Sequence, residues 1–190
     1  YLVASALMVM VYMQMNTTLA VYLRDTHGIN ERGFSYILSL NAGMVVLFQF
    51  AVTRRVTPYR PLFIMTVGTI LYAIGFAMYG FFGVFSMFML AMVIITVGEM
   101  MVAPVGQAIV ARLAPEDMRG RYMAVFGFSW IIPAAVGPFL AGLVLDNLEP
   151  AWLWYAAGII GMVAALGFYI LDRLGDRARW AAVDQRLHIL

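Results

Sequence analysis

The chain has 190 residues, of which 64% are hydrophobic and 12% charged, and a mean hydropathy of +0.88. Soluble domains are about 45–50% apolar, so this composition reads as a polytopic membrane protein. There is no cysteine, hence no disulfide framework and no thiolate metal site. All twelve basic residues are arginine, and a dispersed net charge of +2 excludes a nucleic-acid-binding surface.

The first residue is Tyr1, and an apolar run begins at Leu2 without the basic flank that a signal peptide carries. The chain is therefore expected to be a fragment, or to have lost upstream sequence. Six apolar stretches are long enough to cross a hydrocarbon core of about 30 Å as helices. In chain order they are Leu2 to Leu23, Phe34 to Val52, Leu62 to Phe82, Ser86 to Ala111, Tyr122 to Leu145 and Ala151 to Leu171. The connections are short or turn-rich: 24–33, 53–61, 83–85, 112–121 and 146–150. An all-α membrane bundle of antiparallel neighbours follows. Residues 1–171 are expected to form one six-span half-domain and 172–190 a cytoplasmic tail with a turn or two of helix. In that tail Trp180, Val183 and Leu187 lie at helical spacing, which leaves an interfacial amphipathic helix as the alternative.

Orientation follows from the arginines. Arg54, Arg55, Arg60, Arg112, Arg119, Arg121, Arg173, Arg177, Arg179 and Arg186 fall on one side, and only Arg24 and Arg32 on the other. This places the C-terminus, and the amino end of the first span, in the cytoplasm.

Polarity is uneven. The first span carries Gln14, Asn16, Thr17 and Thr18, the second Asn41 and Gln49, and the fourth Glu99 and Gln107. The third holds Thr66, Thr69 and tyrosines, and the sixth nothing polar beyond its aromatics. Spans one, two and four are thus expected in the interior, and spans three and six against lipid. At 100° per residue Asn16 lies about 200° from Gln14, whereas Glu99 and Gln107 fall within about 80° and can share a face. The plain alternative for Asn16, Asn41 and Gln49 is an interhelical hydrogen bond that holds packing, about 0.6 kcal/mol on average.

Glu99 is the one ionisable residue inside the Ser86 to Ala111 run. At about 1.5 Å of rise per residue its carboxylate sits near the bilayer midplane. A charge there costs at least about 2.5 kcal/mol and needs a partner, a proton or a water-filled cavity.

Pro104, Pro133 and Pro138 fall inside spans, where each removes a backbone bond. With Gly137 they are the expected hinge positions, plain packing being the alternative. Ala157, Gly161 and Ala165 form a small-residue series that permits close helix approach. The 15 methionines and 13 phenylalanines suit an adaptable apolar cavity, and equally suit gap filling. Ala114-Pro115-Glu116-Asp117 looks like a helix start, with proline in the first turn and acids that complement the helix dipole.

The segment GEMMVAPVGQAIVARLAPEDMRGRYMAVFGF and the first hairpin QMNTTLAVYLRDTHGINERGFSYILSLNAGMVVLFQ together resemble the C-terminal half of a major facilitator superfamily transporter. The similarity is to the bacterial drug:proton antiporter branch and runs from Leu2 to about Arg173. Residues 112–122 are its most specific part, and 136–142, VGPFLAG, echo the Gly-Pro antiporter motif. The loop 53–60, TRRVTPYR, keeps arginines but lacks the aspartate and glycine of the superfamily's acidic loop motif.

The resemblance implies two inverted three-helix repeats, with substrate bound near the midplane against a missing N-terminal half. It further implies export of small hydrophobic compounds by alternating access, with protons as the coupling ion and no cofactor. Gln14, Thr18, Asn41, Glu99 and Gln107 would line the route. Arg54, Arg55, Arg119 and Arg121 would form the cytoplasmic loops.

Other function classes fare worse. A metal hydrolase wants two histidines on one helix, yet His27 and His188 both lie outside the apolar spans, and a carboxylate dyad needs a second buried acid. A non-transporting sensor or assembly subunit, with Glu99 bonding a neighbouring helix, is the remaining alternative.

Overall fold

The computed structural model describes the backbone of residues 1–187 and the side chains of residues 1–175. Within that range the chain is helical throughout: α1 (Leu2–Thr17), α2 (Leu19–His27), α3 (Glu31–Val56), α4 (Pro61–Phe81), α5 (Phe85–Leu113), α6 (Arg119–Asn147) and α7 (Ala151–Leu187), with one 3-10 turn at Glu116–Met118. Five of these helices are long and apolar enough to cross a membrane, and six spans result when α1 and α2 count as one broken span. The six expected stretches therefore each correspond to a span.

Local chemistry explains the ends. Gly28, at φ +65°, terminates α2, and the Ile29 and Gly28 amides close back onto the Leu23 and Arg24 carbonyls at 2.9 and 3.1 Å. Asn30 caps α3 by accepting from the Gly33 amide at 3.1 Å, a contact worth about 1 kcal/mol. Helix thus reaches inward from both sides, and the connection expected over 24–33 shrinks to 28–30. His27 becomes the last residue of α2 rather than a loop residue. Pro61 opens α4 at a position where its missing N–H costs nothing.

Two further expectations need correcting. The first span is not one helix: it breaks at Thr18 with a 53° bend. Thr17 donates its hydroxyl to the Met13 carbonyl, a back-bond of the kind that bends helices, and Thr18 donates to the Gln14 side-chain Oε1 at 2.6 Å. By contrast α5 and α6 run uninterrupted through Pro104, Pro133 and Pro138.

Burial also departs from polarity. The third span, α4, is the most buried of those measured, at 56% of its apolar window, whereas the second, α3, is only 6% buried. Polarity marks which faces need a polar partner; burial within this bundle is set by side-chain size. An added Cβ at Gly98 of α5 would stand 2.7 Å from the Gly68 carbonyl of α4, and one at Gly161 of α7 would stand 2.9 Å from the Ala73 Cβ. The helices pack at nearly backbone contact there. The small-residue series of the sixth span is therefore a packing surface, as its spacing indicates, and α4 is the strip it packs on. The outward faces of α4 and α7 remain apolar and exposed, at Phe63, Ile74 and Phe81 and at Ile159, Val163 and Leu166.

At one end of the bundle the turn before α4 meets α7. Arg60 Nη2 lies 2.9 Å from Asp172 Oδ2, and the Asp172 side chain is 7% exposed. α7 continues as helix to Leu187, well past the turn or two expected of the tail. The side chains of Trp180, Val183, Leu187 and His188 lie outside the described residues.

The α4–α5 contact yields a direct test. Gly98→Ala should destabilise the bundle by about 1–3 kcal/mol, because the obstacle is backbone that cannot rotate away. Thermal unfolding in detergent would show this as a lowered Tm, while Gly43→Ala, where nothing lies within 4 Å, should leave it unchanged.

Candidate functional site

Glu99 sits at the centre of α5, fourteen residues from each end of Phe85–Leu113. Three helices supply its surroundings. From α1, the Tyr12 hydroxyl donates to Glu99 Oε1 at 2.9 Å. From α3, Asn41 Nδ2 donates to Glu99 Oε2 at 2.7 Å and to Thr96 Oγ1 at 3.0 Å. Thr96 lies one turn before Glu99 on α5, and its own hydroxyl donates to the Met92 carbonyl at 2.7 Å. The Tyr12 ring in turn packs 5.8 Å from Tyr72 of α4 and 6.1 Å from Trp130 of α6. Side chains of α1 and α3 thus meet on one carboxyl group of α5, and α4 and α6 pack behind the tyrosine.

The arrangement suits an ionised carboxylate, which accepts only, with one donor aimed at each oxygen. Hydrogen bonds to charged groups are worth about 1.5–3 kcal/mol each. Two of them match the roughly 2.5–3.5 kcal/mol that a midplane acid costs on insertion scales.

Of the expected site residues, the fold brings Asn41 and Glu99 together. Gln14 and Thr18 go elsewhere. Gln14 accepts from Thr18, donates to the Met10 carbonyl at 3.2 Å, and stands 3.2 Å from where a Cβ on Gly137 would be. It lines a largely apolar cavity of about 640 Å³ between α1, α6 and α7, with Met10, Leu140, Val144 and Ala157. These two residues serve the bend rather than the carboxylate. Gln107 is exposed and borders a small space of about 20 Å³ beside Ser5, Phe126 and Trp130. Gln49 crosses from α3 to α5, donating to the Met100 carbonyl at 3.0 Å, so it holds packing.

Pro133 and Gly137 are buried. Pro138 borders a polar cavity of about 320 Å³ with Thr17, Thr18, Asp25 and Asp146, beside the α1–α2 break. Pro104 borders one of about 170 Å³ with Thr57, Tyr59 and Arg112. Arg54 and Arg55, expected in a loop, lie exposed in the last turn of α3, and Arg119 and Arg121 lie exposed in the first turn of α6.

Tyr12 and Thr96 were not among the expected site residues. A tyrosine in mid-span carries a hydroxyl that must find a partner, and Thr96 is three positions before Glu99, on the same face. Both signals were present in the sequence.

The sequence profile of the Major Facilitator Superfamily matches residues 1–187. The chain belongs to that superfamily. Among superfamily relatives, it is 31% identical over 150 residues to the uncharacterized MFS-type transporter YdeE of Escherichia coli K12, covering 78% of this chain and 37% of the relative. It is 24% identical over 188 residues to a Na(+), Li(+), K(+)/H(+) antiporter of Planococcus maritimus, covering 90% and 42%. A shorter match, 32% over 71 residues, joins it to the lincomycin resistance protein LmrB of Listeria monocytogenes, covering 37% and 15%. The fold matches the crystal structure of a POT family transporter in complex with a thioalcohol-conjugated peptide. That match has a TM-score of 0.78 and 18% identity, and covers 90% of this chain and 39% of that one. The chain thus spans less than half the length of these transporters, and it is a multi-pass membrane protein of the superfamily's helical fold.

The hydrogen-bond set predicts a coupling. Asn41→Leu should lower stability by about 1.5–3 kcal/mol in thermal unfolding, because it leaves one carboxylate oxygen without its donor. In the Glu99→Gln background the same substitution should cost clearly less, since no charge is left unsolvated. Simple additivity would mean that the two side chains do not interact.

Proposed function

We propose that this chain is one half of a secondary active transporter that exports small, mainly hydrophobic compounds by alternating access, coupled to protons. The observation that carries the reading is the Glu99 carboxylate, held in mid-span by Tyr12 and Asn41 from two other helices. An acid in mid-span, bonded to side chains of two other helices, is the kind of group a proton-coupled cycle uses. The lincomycin resistance protein and the cation/H(+) antiporter among the relatives support export and proton exchange respectively. Tyr12, Asn41 and Glu99 would line the route, and the abundant methionine and aromatic surface would accommodate varied apolar substrates. No catalytic step is assigned to the chain.

The partner in this reading is an N-terminal half-bundle. It would cover the open faces of α3 and α6, where Val46, Leu47 and Phe50, and Phe128, Ile131 and Phe139, are exposed without a neighbouring helix. The membrane would be the bacterial inner membrane, with the C-terminus in the cytoplasm, supported by ten of the twelve arginines on one side.

Two measurements test the proposal. In the complete protein, Glu99→Gln should reduce proton-coupled efflux to background while expression stays normal; unchanged efflux of every substrate would remove Glu99 from the mechanism. For orientation, an impermeant thiol reagent applied to intact cells should label the Arg24→Cys variant, and the Arg54→Cys variant only after permeabilisation. The reverse pattern would invert the topology.

A further inference from the structure

α2 is the one helix joined to the bundle through a break inside a span, and one aromatic box seats it. Its inward face is fully covered: Leu19 and Leu23 are 0% exposed and Tyr22 is 3% exposed. The Tyr22 hydroxyl donates to the Tyr79 carbonyl at the end of α4, at 2.8 Å. The last residue of α2, His27, slots between Tyr22 and Phe88 of α5, with ring centroids 5.0 and 4.9 Å away and near-perpendicular planes. The turn at Gly83 runs alongside the ring, at ordinary contact distance from His27 Cε1 and Nδ1. Tyr79 and Trp154 complete the box, with Trp154 at 5.1 Å from both Tyr22 and Tyr79.

The box is short of polar partners. Among the described residues four buried side-chain polar atoms lack a hydrogen bond, and three of them are His27 Nε2, the Tyr79 hydroxyl and Trp154 Nε1. A neutral imidazole leaves one nitrogen unsatisfied there. The ring is half-buried, and an imidazolium would bring a full charge against apolar aromatic neighbours and an N–H on the buried Nε2 with no acceptor to meet it.

We propose that His27 is a pH-sensitive latch: the neutral imidazole seats α2 in the aromatic box, and protonation releases α2 to move about the break at Thr18.

No charged group among the described residues is paired with His27; Asp25 and, from α6, Asp146 border the cavity on the other side of Tyr22. On α2 itself Arg24 is paired with Asp25 at 2.7 Å, and both are exposed. α4 contributes Tyr79, and α7 contributes Tyr155, whose hydroxyl is spent on the Gly80 carbonyl at 2.8 Å. α5 contributes only Phe88 at this point, and Glu31 and Arg32, opening α3, are exposed. The direction follows. Docking disfavours the charged ring, so the latch is fully closed above the ordinary histidine pKa of about 6.5 and opens as the pH falls below it. Each unit by which docking lowers that pKa corresponds to about tenfold in the ratio of docked to released α2 at the acid limit.

Spin labels on the paired variants Val21→Cys and Ile74→Cys, both at exposed positions, would report α2 against α4 in the full-length protein in lipid nanodiscs, with any cysteine outside this chain replaced. Between pH 8 and pH 5 the native His27 background should show a single docked distance giving way to a second, released population. His27→Phe, which fills the slot with an uncharged ring, should stay docked at every pH. His27→Lys should be released at every pH. A carbon-13 imidazole titration, with His188 and any histidine outside this chain replaced by Asn, reads the His27 ring directly and does not depend on either His27 variant folding. Its midpoint should lie below the ordinary value. The proposal is overturned by a distance distribution independent of pH in the native background, by a His27→Phe variant that still responds to pH, or by an imidazole midpoint at or above the ordinary value.

Discussion

Hydrocarbon offers no water, so each polar group inside a span must be answered by another part of the protein, and the Glu99 carboxylate is where that constraint binds hardest. Its charge is sustained only because α1 and α3 each bring a donor to it. Because the answering groups sit on different helices, the same bonds fix the relative depth and rotation of α1, α3 and α5. One side chain therefore ties together the packing of three helices.

The bundle reconciles this polar tie with close packing by assigning the two tasks to different helices. α4 carries Gly68, Gly75 and Ala73 into backbone-level contact with α5 and α7 and makes no hydrogen bond to the carboxylate. α3 does the opposite: it is mostly exposed, and it touches α5 through Asn41 and Gln49. In lipid there is no hydrophobic gain in bringing helices together, so small-residue contact and interhelical polar bonds are the two available adhesives. Here they are spatially separated, leaving α3 attached by bonds that can be exchanged and α4 by contacts that cannot.

Much of this was legible in the sequence. Span number, approximate bounds and the exceptional position of Glu99 follow from hydropathy alone, and the pairing of Glu99 with an amide on the second span is consistent with the polarity count. The bend at Thr18 was not legible, because Asn16-Thr17-Thr18 reads equally as a polar face; only the hydrogen bonds to Met13 and Gln14 show that the hydroxyls are spent on their own helix. Tyr12 was hidden by its ring, which reads as one more aromatic filler in a chain rich in them. The burial of α4 was hidden for a different reason: glycine and alanine carry almost no hydropathy signal, yet they decide which helices approach.

The ion pair between Arg60 and Asp172 bears on where the folded unit ends. Hydropathy closes the last span at Leu171, one residue before a carboxylate that is almost wholly covered and bonded to the turn preceding α4. Separating a buried charge from its counter-ion is far costlier than losing an exposed pair. A tag or fusion joined directly after Leu171 would take that carboxylate away from the inner turn, so the packed unit is delimited by its electrostatics and includes Asp172, beyond the end that hydropathy sets.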